Sequence, residues 1–551
     1  MPEITSRKKR YRVIANPNPT AMAIPPLDFH DLERQIGQLA VQMATLDEGG
    51  NAEPAAKVVD KLGNKMTGTR GLVVEMTDDT KAALEADKGE AIEVLEDFSV
   101  DMQSPVQLNA MGVEPLNFFP VSTDEALKFR IRILSADGKP VAKASVRLSG
   151  SFWSDDGVTN TQGRVTLTMF EETVDSPASL IVRPATGFWG RVVSNPALSD
   201  SEENILSLEG LGAITGQPDF PTVQIKDWAL SDMGLNLPAV VLGPVKVAVI
   251  DSGIDASHPD LAPTGGRDFG PSDDPDATFV NDGSGHGTHV SGTIAALDNA
   301  FGVVGAAAAG VEIFGNRVFP EAKMSKLELA IDWCVDNDID IINMSLGSAQ
   351  NDSGFKAAVE MARQAGILCI AAAGNSASPV MFPAAYPTVM AVAALGKVGS
   401  FPETSPHQAR ISEHVVGNYF AASFTCFGPE INVTAPGVGV ISTVPGGGYA
   451  PWDGPSMAGP HVPGLAARLL QTRADIRAVP RGPARVDALF AAVEDSCSDL
   501  GLPPQFQGRG MPSFVTVPTP PQPPQPVEKP VAKKDSSAIA LINQALEVLE
   551  S

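Results

Sequence analysis

From residue 221 to residue 510 the chain alternates short apolar or β-branched runs, such as VKVAVI, DIIN and ILCIAAAG, with helix-like stretches such as 326–336 and 353–365. Strands that read as continuous apolar runs are covered on both faces, and strands alternating with helices need crossover connections. The pattern therefore predicts an α/β fold, a mainly parallel sheet with helices on both faces. Such a sheet places its functional groups beyond the carboxyl ends of its strands.

A chain of 551 residues exceeds what one core normally serves, so several domains are expected. Residues 1–55 read as a Pro-interrupted N-terminal extension with one helix near 27–43 and no assigned function. Residues 56–102 read as a small α+β unit, in which GLVVEM and AIEVLEDFSVD flank the helical TDDTKAALEAD, opened by a Thr/Asp cap. Between 127 and 195, FRIRIL alternates, DGK turns, and VAKASVRLSG, GRVTLTM and SLIVRP follow as short strands, which predicts a small β-sandwich. It resembles immunoglobulin-like or carboxypeptidase-regulatory-like domains, modules that brace an enzyme or bind a protein partner. After the large domain (221–510), PTPPQPPQPVEKP marks a Pro-rich linker over 511–535. Residues 536–551 place Ile539, Ile542, Leu546 and Leu549 on one face of an amphipathic helix, suited to docking on this chain or on a protein partner.

A net charge of −25 argues against nucleic acid or an anionic membrane as partner, because like charges repel at long range. The four cysteines, Cys334, Cys369, Cys426 and Cys497, lie far apart with no CxxC spacing, and read as buried thiols. The basic N-terminus is followed by no apolar segment, and no run of about twenty apolar residues occurs, so no membrane span and a cytoplasmic location are expected.

Three segments carry the chemistry: VAVIDSGID around Asp251, SGHGTHVSGT around His286 and DGPSMAGPHV around Ser456. An acid, a base and a nucleophile, each beside small residues, point to serine-nucleophile chemistry. Asp251 follows an apolar strand and suits a carboxylate that accepts the Nδ1–H of His286, leaving Nε2 to take the serine proton. His289, one turn along, is a competing base, and two histidines three apart are also compatible with a metal, but no third ligand is recognisable nearby. Ser456 opens a helix, whose positive end stabilises developing negative charge. Asn375, in AAAGN after the strand ILCI, carries the kind of side chain that completes an oxyanion site; considered alone it reads as a turn residue. The acidic loop with Asp268, Asp273, Asp274 and Asp276 reads as a solvated loop or as an ion site.

These segments, in composition and order, resemble the subtilisin-like serine proteases (subtilases, peptidase family S8) over about 227–482, and HPDL (258–261), AALDNAFGVVG (295–305), IINMSLGS (341–348), YPTVMAVAA (386–394) and FGPEINVTAPG (427–437) join them. The order Asp, His, Ser is itself that of subtilisin. The resemblance implies a serine endopeptidase acting through an acyl-enzyme on Ser456, with His286 as general base then acid, Asp251 orienting it and Asn375 binding the oxyanion. By the same resemblance His289 is not the base. The backbone of Ser345, Leu346 and Gly347 would pair with an extended polypeptide substrate, and Ala372, Ala373 and Gly374 would form the opposite side of a specificity pocket open to a large apolar side chain. No cofactor is implied for the chemistry. A structural calcium is implied at Asp260 with Leu297, Asn299, Phe301 and Val303, several through backbone carbonyls, while the family's N-terminal ligand is not identifiable. Residues 71–101 resemble the second half of the family's inhibitory propeptide, as either a self-cleaved inhibitor or a retained module.

Pro455 stands where the family has threonine, and Pro463 is expected to kink the following helix at a cost of about 3 kcal/mol. Residues 319–327 look shorter than the family's edge strand, and 395–420 look like an insertion. Two other functions fit the sequence: a catalytically weak scaffold that binds peptides or proteins, and an esterase or ligase using the same triad.

Overall fold

The computed structural model describes residues 8–15, 27–43, 45–46, 52–102, 126–236, 241–270, 272, 274–307 and 309–514. Its first unit comprises β1 (Lys9–Ala15), α1 (Phe29–Gln42), β2 (Ala56–Asn64), β3 (Gly68–Met76), α2 (Asp78–Lys88) and β4 (Ile92–Glu96), followed by the short β5 (Asp101–Met102). The first four strands form an antiparallel sheet in the order β2-β3-β1-β4. Asp28 and Thr77 cap the helices through backbone N–H groups of the first turn. Tyr11 and Val13 on β1 face Leu32 and Ile36 of α1 and Leu84 of α2 in one core. Dividing the chain at residue 55/56 is therefore corrected, because β1 is a central strand of the sheet that residues 56–96 complete. In sequence KRYRVIA belongs to a basic N-terminus; in the structure its Arg12 is buried on the face opposite Tyr11 and Val13, against the large domain.

Two sheets make the sandwich. One is β7 (Ser145–Ser149), β8 (Ser154–Val158), β10 (Ser179–Arg183) and β11 (Arg191–Ser194); the other is β6 (Leu127–Ser135), β9 (Arg164–Met169) and β12 (Glu203–Leu208). Phe129, Ile131, Val146, Leu148, Leu167 and Val182 fill the space between them. The limit at 195 is corrected to Leu208, since β12 pairs in parallel with β6 and closes the second sheet.

In the large domain, β13 (Val245–Asp251), β14 (Gly265–Asp268), β15 (Val311–Arg317), β16 (Ile341–Met344), β18 (Leu368–Ala372) and β19 (Val389–Lys397) follow one another in the order β14-β15-β13-β16-β18-β19, all parallel. The short β17 (Leu346–Gly347) lies between β16 and β18 in the chain. Residues 395–420 contribute to an antiparallel hairpin, β20 (Ile411–Val416) and β21 (Tyr419–Ala422), that extends the sheet, and β22 (Ile431–Pro436) runs parallel to β19. A second hairpin, β23 (Val440–Val444) with β24 (Gly448–Trp452), precedes the last helices. Along β13 the side chains alternate between two cores. Val245, Val247 and Val249 share a core with α3 (His286–Ala295), α7 (His461–Thr472) and α8 (Pro483–Asp495), whereas Ala248 and Ile250 share one with α4 (Met324–Asp336) and α5 (Ser353–Gln364). This double coverage is what the continuous apolar strands encode.

The large domain continues past 510: Met511–Pro512 pairs with Cys497–Ser498, and the N–H of buried Phe514 donates to Met233 O at 2.7 Å. Residues 511–514 of the expected linker therefore belong to the large domain; the rest of that linker and the expected terminal amphipathic helix lie outside the described residues. Pro463 does not lie at its expected place, about two turns into a continuous helix. The chain breaks at Gly459 and Pro460 between α6 (Pro455–Ala458) and α7, so Pro463 falls in the first turn of a new helix, where an N–H has no intrahelical partner anyway. Among the described residues no helix is long and apolar enough to cross a membrane.

Candidate active site

Asp251 ends β13 and is fully buried; its carboxylate accepts the Nδ1–H of His286 at 2.7 and 2.9 Å. Ser252 N–H also donates to it at 2.7 Å. His286 opens α3 after Gly285, whose φ of +79° is a left-handed conformation. Gly287 is required by contact: a Cβ there would lie 2.1 Å from Gly253 O. Asp282, not singled out by its sequence context, holds this turn. One carboxylate oxygen accepts Gly285 N–H at 2.8 Å and Ser252 Oγ–H at 2.8 Å; the other accepts the N–H and hydroxyl of Thr288 at 2.8 and 2.6 Å.

His289 has a different environment. Its Nε2 faces Val440 O and Ala450 O at 3.1 Å each, its ring stacks on Trp452, and burial pushes its pKa down to about 3, so the ring is neutral.

Ser456 is the second residue of α6, and α6 packs against α3. Pro455 takes the first helical position, where its missing N–H has no consequence. Farther on, Pro460 removes the N–H that would bond Ser456 O, and Ser345 Oγ donates to that carbonyl at 3.3 Å instead; Ser456 Oγ donates to Ser345 O at 3.3 Å. The nucleophile candidate is thus stitched to the segment expected to bind substrate. Asn375 lies three residues past β18, a strand that also contacts α6. Ala372, Ala373 and Gly374 lead to it, buried, and Gly374 has the side chains of Cys426 and Met381 against it, neighbours its sequence position does not reveal.

Part of the chain already pairs with the expected substrate strand. β5 runs antiparallel to β17, with Met102 opposite Leu346 and Asp101 opposite Gly347. On its other side Val100 N–H donates to Ala322 O at 2.7 Å, and Met324 N–H donates to Phe98 O at 3.0 Å. Residues 98–102 therefore lie as a strand between two backbone edges, with Met102 Sδ 3.8 Å from Ser284 Oγ, two residues from His286. The short segment 319–327 is one of those edges.

The profile of the subtilase family matches residues 243–490. Subtilisin from Bacillus pumilus is 42% identical over 234 residues, covering 41% of this chain and 76% of that protein. The chain belongs to the subtilase family. Subtilisin NAT from Bacillus subtilis subsp. natto is 43% identical over 234 residues, and alkaline elastase YaB from Bacillus sp. (strain YaB) 41% over 231; the matched parts are 55% and 54% of those proteins, about half their length. This subtilase is thus a serine-type endopeptidase by kinship, with an α/β fold to match.

The cation-site residues expected of a subtilase converge on a side chain that the sequence reading missed. Gln224 Nε2 lies 2.7 Å from Leu297 O, 2.9 Å from Phe301 O, 3.1 Å from Val303 O and 3.4 Å from Asn299 Oδ1. An amide NH2 has two hydrogens for these four acceptors. Asp260 stands beside them, accepting from Asn299 Nδ2 at 3.0 Å and Val303 N–H at 2.9 Å. An all-oxygen set with surplus acceptors and one carboxylate suits calcium. Asp268 and Asp276 of the acidic loop instead pair with Arg317 and Arg267, while Asp273 lies outside the described residues. Among the described residues no group of three or more His, Cys, Asp or Glu side chains gathers as a metal site. The four cysteines are free thiols, three of them buried.

Proposed function

We propose that this subtilase cleaves polypeptides bound as an extended strand along Ser345–Gly347, and that its own residues 98–102 occupy that place until displaced. The observation that carries the reading is the buried Asp251–His286 pair, its histidine on a helix packed against the helix of Ser456. Asp251 fixes the tautomer in which Nδ1 carries the proton. Ser456 Oγ attacks the scissile carbonyl carbon as its proton passes to His286 Nε2, and Asn375 donates to the oxyanion. Collapse breaks the C–N bond, the amine leaves with the proton from His286, and water, deprotonated by the same nitrogen, hydrolyses the ester.

Antiparallel pairing of β5 with β17 supports strand-wise substrate binding, because a substrate would use the same backbone groups. It supports an inhibitory role for the N-terminal unit as well. Calcium held by Asp260, Gln224, Asn299 and the carbonyls of Leu297, Phe301 and Val303, with the Gln224 amide turned to present its oxygen, would brace the loop after α3.

The test is labelling by a fluorophosphonate together with mass spectrometry of the chain on incubation. Wild type is expected to label at Ser456 and to cleave itself between the N-terminal unit and the sandwich. Ser456→Ala should do neither; equal labelling of folded Ser456→Ala and wild type would sink the proposal.

A further inference from the structure

Three residues before Ser456 lies a buried charged group that the triad does not use. Asp453 is 5% exposed, and both its oxygens are engaged: Oδ1 accepts from His407 Nδ1 at 2.6 Å and from Gly439 N–H at 2.8 Å, and Oδ2 accepts from Arg410 Nε at 3.0 Å. Gly454 N–H donates to Gly437 O at 2.9 Å, so the residues just before the nucleophile are tied twice to the loop between β22 and β23. Pro455 can add no donor of its own, having neither N–H nor hydroxyl. The anchoring of the turn falls on Asp453.

His407 and Arg410 come from the segment between β19 and β20, which the sequence marks as an insertion. The imidazole of His407 is fixed by aromatic neighbours, edge-on to Trp189 at 5.5 Å and 5.6 Å from Phe401. Trp189 belongs to the sandwich chain yet is buried in the core of the large domain, and its Nε1–H donates to Leu211 O at 3.3 Å. Burial opposes the charge on Asp453, but His407 and Arg410 outweigh it and hold the carboxyl below its ordinary pKa, so it stays ionised. A buried carboxylate with three donors has one favourable arrangement, because losing any donor leaves charge uncompensated in a dry site.

We propose that Asp453, held by His407 and Arg410, is a positioning residue that sets the orientation of Ser456 across the Gly454-Pro455 turn. The proposal rests on Ser456 being the nucleophile. It assigns the insertion a task in the reaction: it supplies donors that the Pro455 turn lacks.

The experiment compares full-length wild type, Asp453→Asn, His407→Asn, His407→Leu and Leu489→Ala in matched preparations. It reads the rate of fluorophosphonate labelling, kcat and KM on a chromogenic peptide anilide, and the thermal midpoint. Leu489 lies in the α8 core outside the network and controls for lost stability. Asp453→Asn should lower the labelling rate and kcat by about tenfold or more with KM nearly unchanged, the pattern of a misaligned nucleophile. His407→Asn keeps an N–H donor near the Nδ1 position and should retain most of the rate, whereas His407→Leu should fall with Asp453→Asn. Wild-type rates in Asp453→Asn, an equal loss in Leu489→Ala, or equal rates in the two His407 variants would overturn the proposal. If Asp453→Asn does not fold, the His407 pair decides. Labelling of Ser456→Ala at the wild-type level would instead remove the nucleophile itself, a separate failure.

Discussion

At the scale of single residues, the placement of His286 depends on Asp282 as much as on Asp251. Asp282 gathers three backbone N–H groups and three hydroxyls around the first turn of α3. Asp282→Ala would strand several of these donors, at about 1–3 kcal/mol for a buried group left unpaired. The expected result is a lower thermal midpoint with a kcat loss of about tenfold and little change in KM, since the histidine turn moves and the substrate strand does not. Unchanged kcat in the folded variant would refute this role. The neutral histidines add a pH dependence. Burial holds His289 at about 3 and His461 at about 4, whereas both return to about 6.5 on unfolding. Between those values the unfolded chain binds more protons than the native one. Their contribution is therefore complete above pH 6.5 and is lost as pH falls, by about 1.4 kcal/mol per pH unit for each. Thermal midpoints measured from pH 7 to 4 should fall accordingly, and His461→Asn should flatten the slope; an identical slope in that variant would contradict the assignment.

At the scale of elements, the docking of the N-terminal unit is charged and dry. Arg12 on β1 pairs with Glu328 of α4 and with Asp352, which caps α5; Arg70 on β3 pairs with Glu328 at 2.6 Å and Asp332 at 3.1 Å. Asp97 caps α4 from outside, accepting the N–H and Oγ–H of Ser325 at 2.8 Å each. Arg12→Met would leave Glu328 and Asp352 short of their buried cation, and breaking such a pair costs about 3–5 kcal/mol. If β5 inhibits because this unit is docked, uncleaved Arg12→Met should be markedly more active on a polypeptide substrate than uncleaved wild type; no increase would uncouple docking from inhibition. The same residues show what the sequence discloses. The parallel sheet is legible because its strands are apolar on both faces, and Asp251, His286 and Ser456 are legible because each sits in a short local motif. β1 is not, since a buried arginine reads as surface until its partners more than 300 residues away are known. Gln224 and Asp282 are hidden for a related reason: each acts through backbone groups of distant loops, which no local spacing encodes.

At the scale of the whole molecule, the sandwich and the N-terminal unit are joined to the large domain by different means. The N-terminal unit uses buried ion pairs, an apolar patch of Ile14, Leu62 and Val73 against Leu329, and the two-sided strand 98–102, whose Val100 enters a large-domain core. The sandwich shares a core: Trp189 is 1% exposed among large-domain residues, Thr186 Oγ1 and Tyr449 bond reciprocally through backbone groups at 2.9 and 2.8 Å, and Val192 N–H donates to Thr404 O at 2.8 Å. Tyr449 OH in turn donates to Asp260 at 2.7 Å, which links the sandwich to the residues proposed to hold calcium. A shared apolar core does not depend on charge, whereas an interface that also relies on buried ion pairs, which salt screens little, is lost once its carboxylates are protonated in acid. Cleavage between the two modules should therefore release the N-terminal unit and leave the sandwich on the enzyme. Size-exclusion chromatography of the processed protein at acidic pH, with mass spectrometry of each peak, should find the sandwich and large domain in one species and the N-terminal unit in another. Trp189→Ala, which opens a cavity worth about 3–5 kcal/mol in that shared core, should lower the thermal midpoint of the processed enzyme. Co-elution of the N-terminal unit at acidic pH, or a sandwich that separates from the large domain, would reverse the assignment of which module is the removable one.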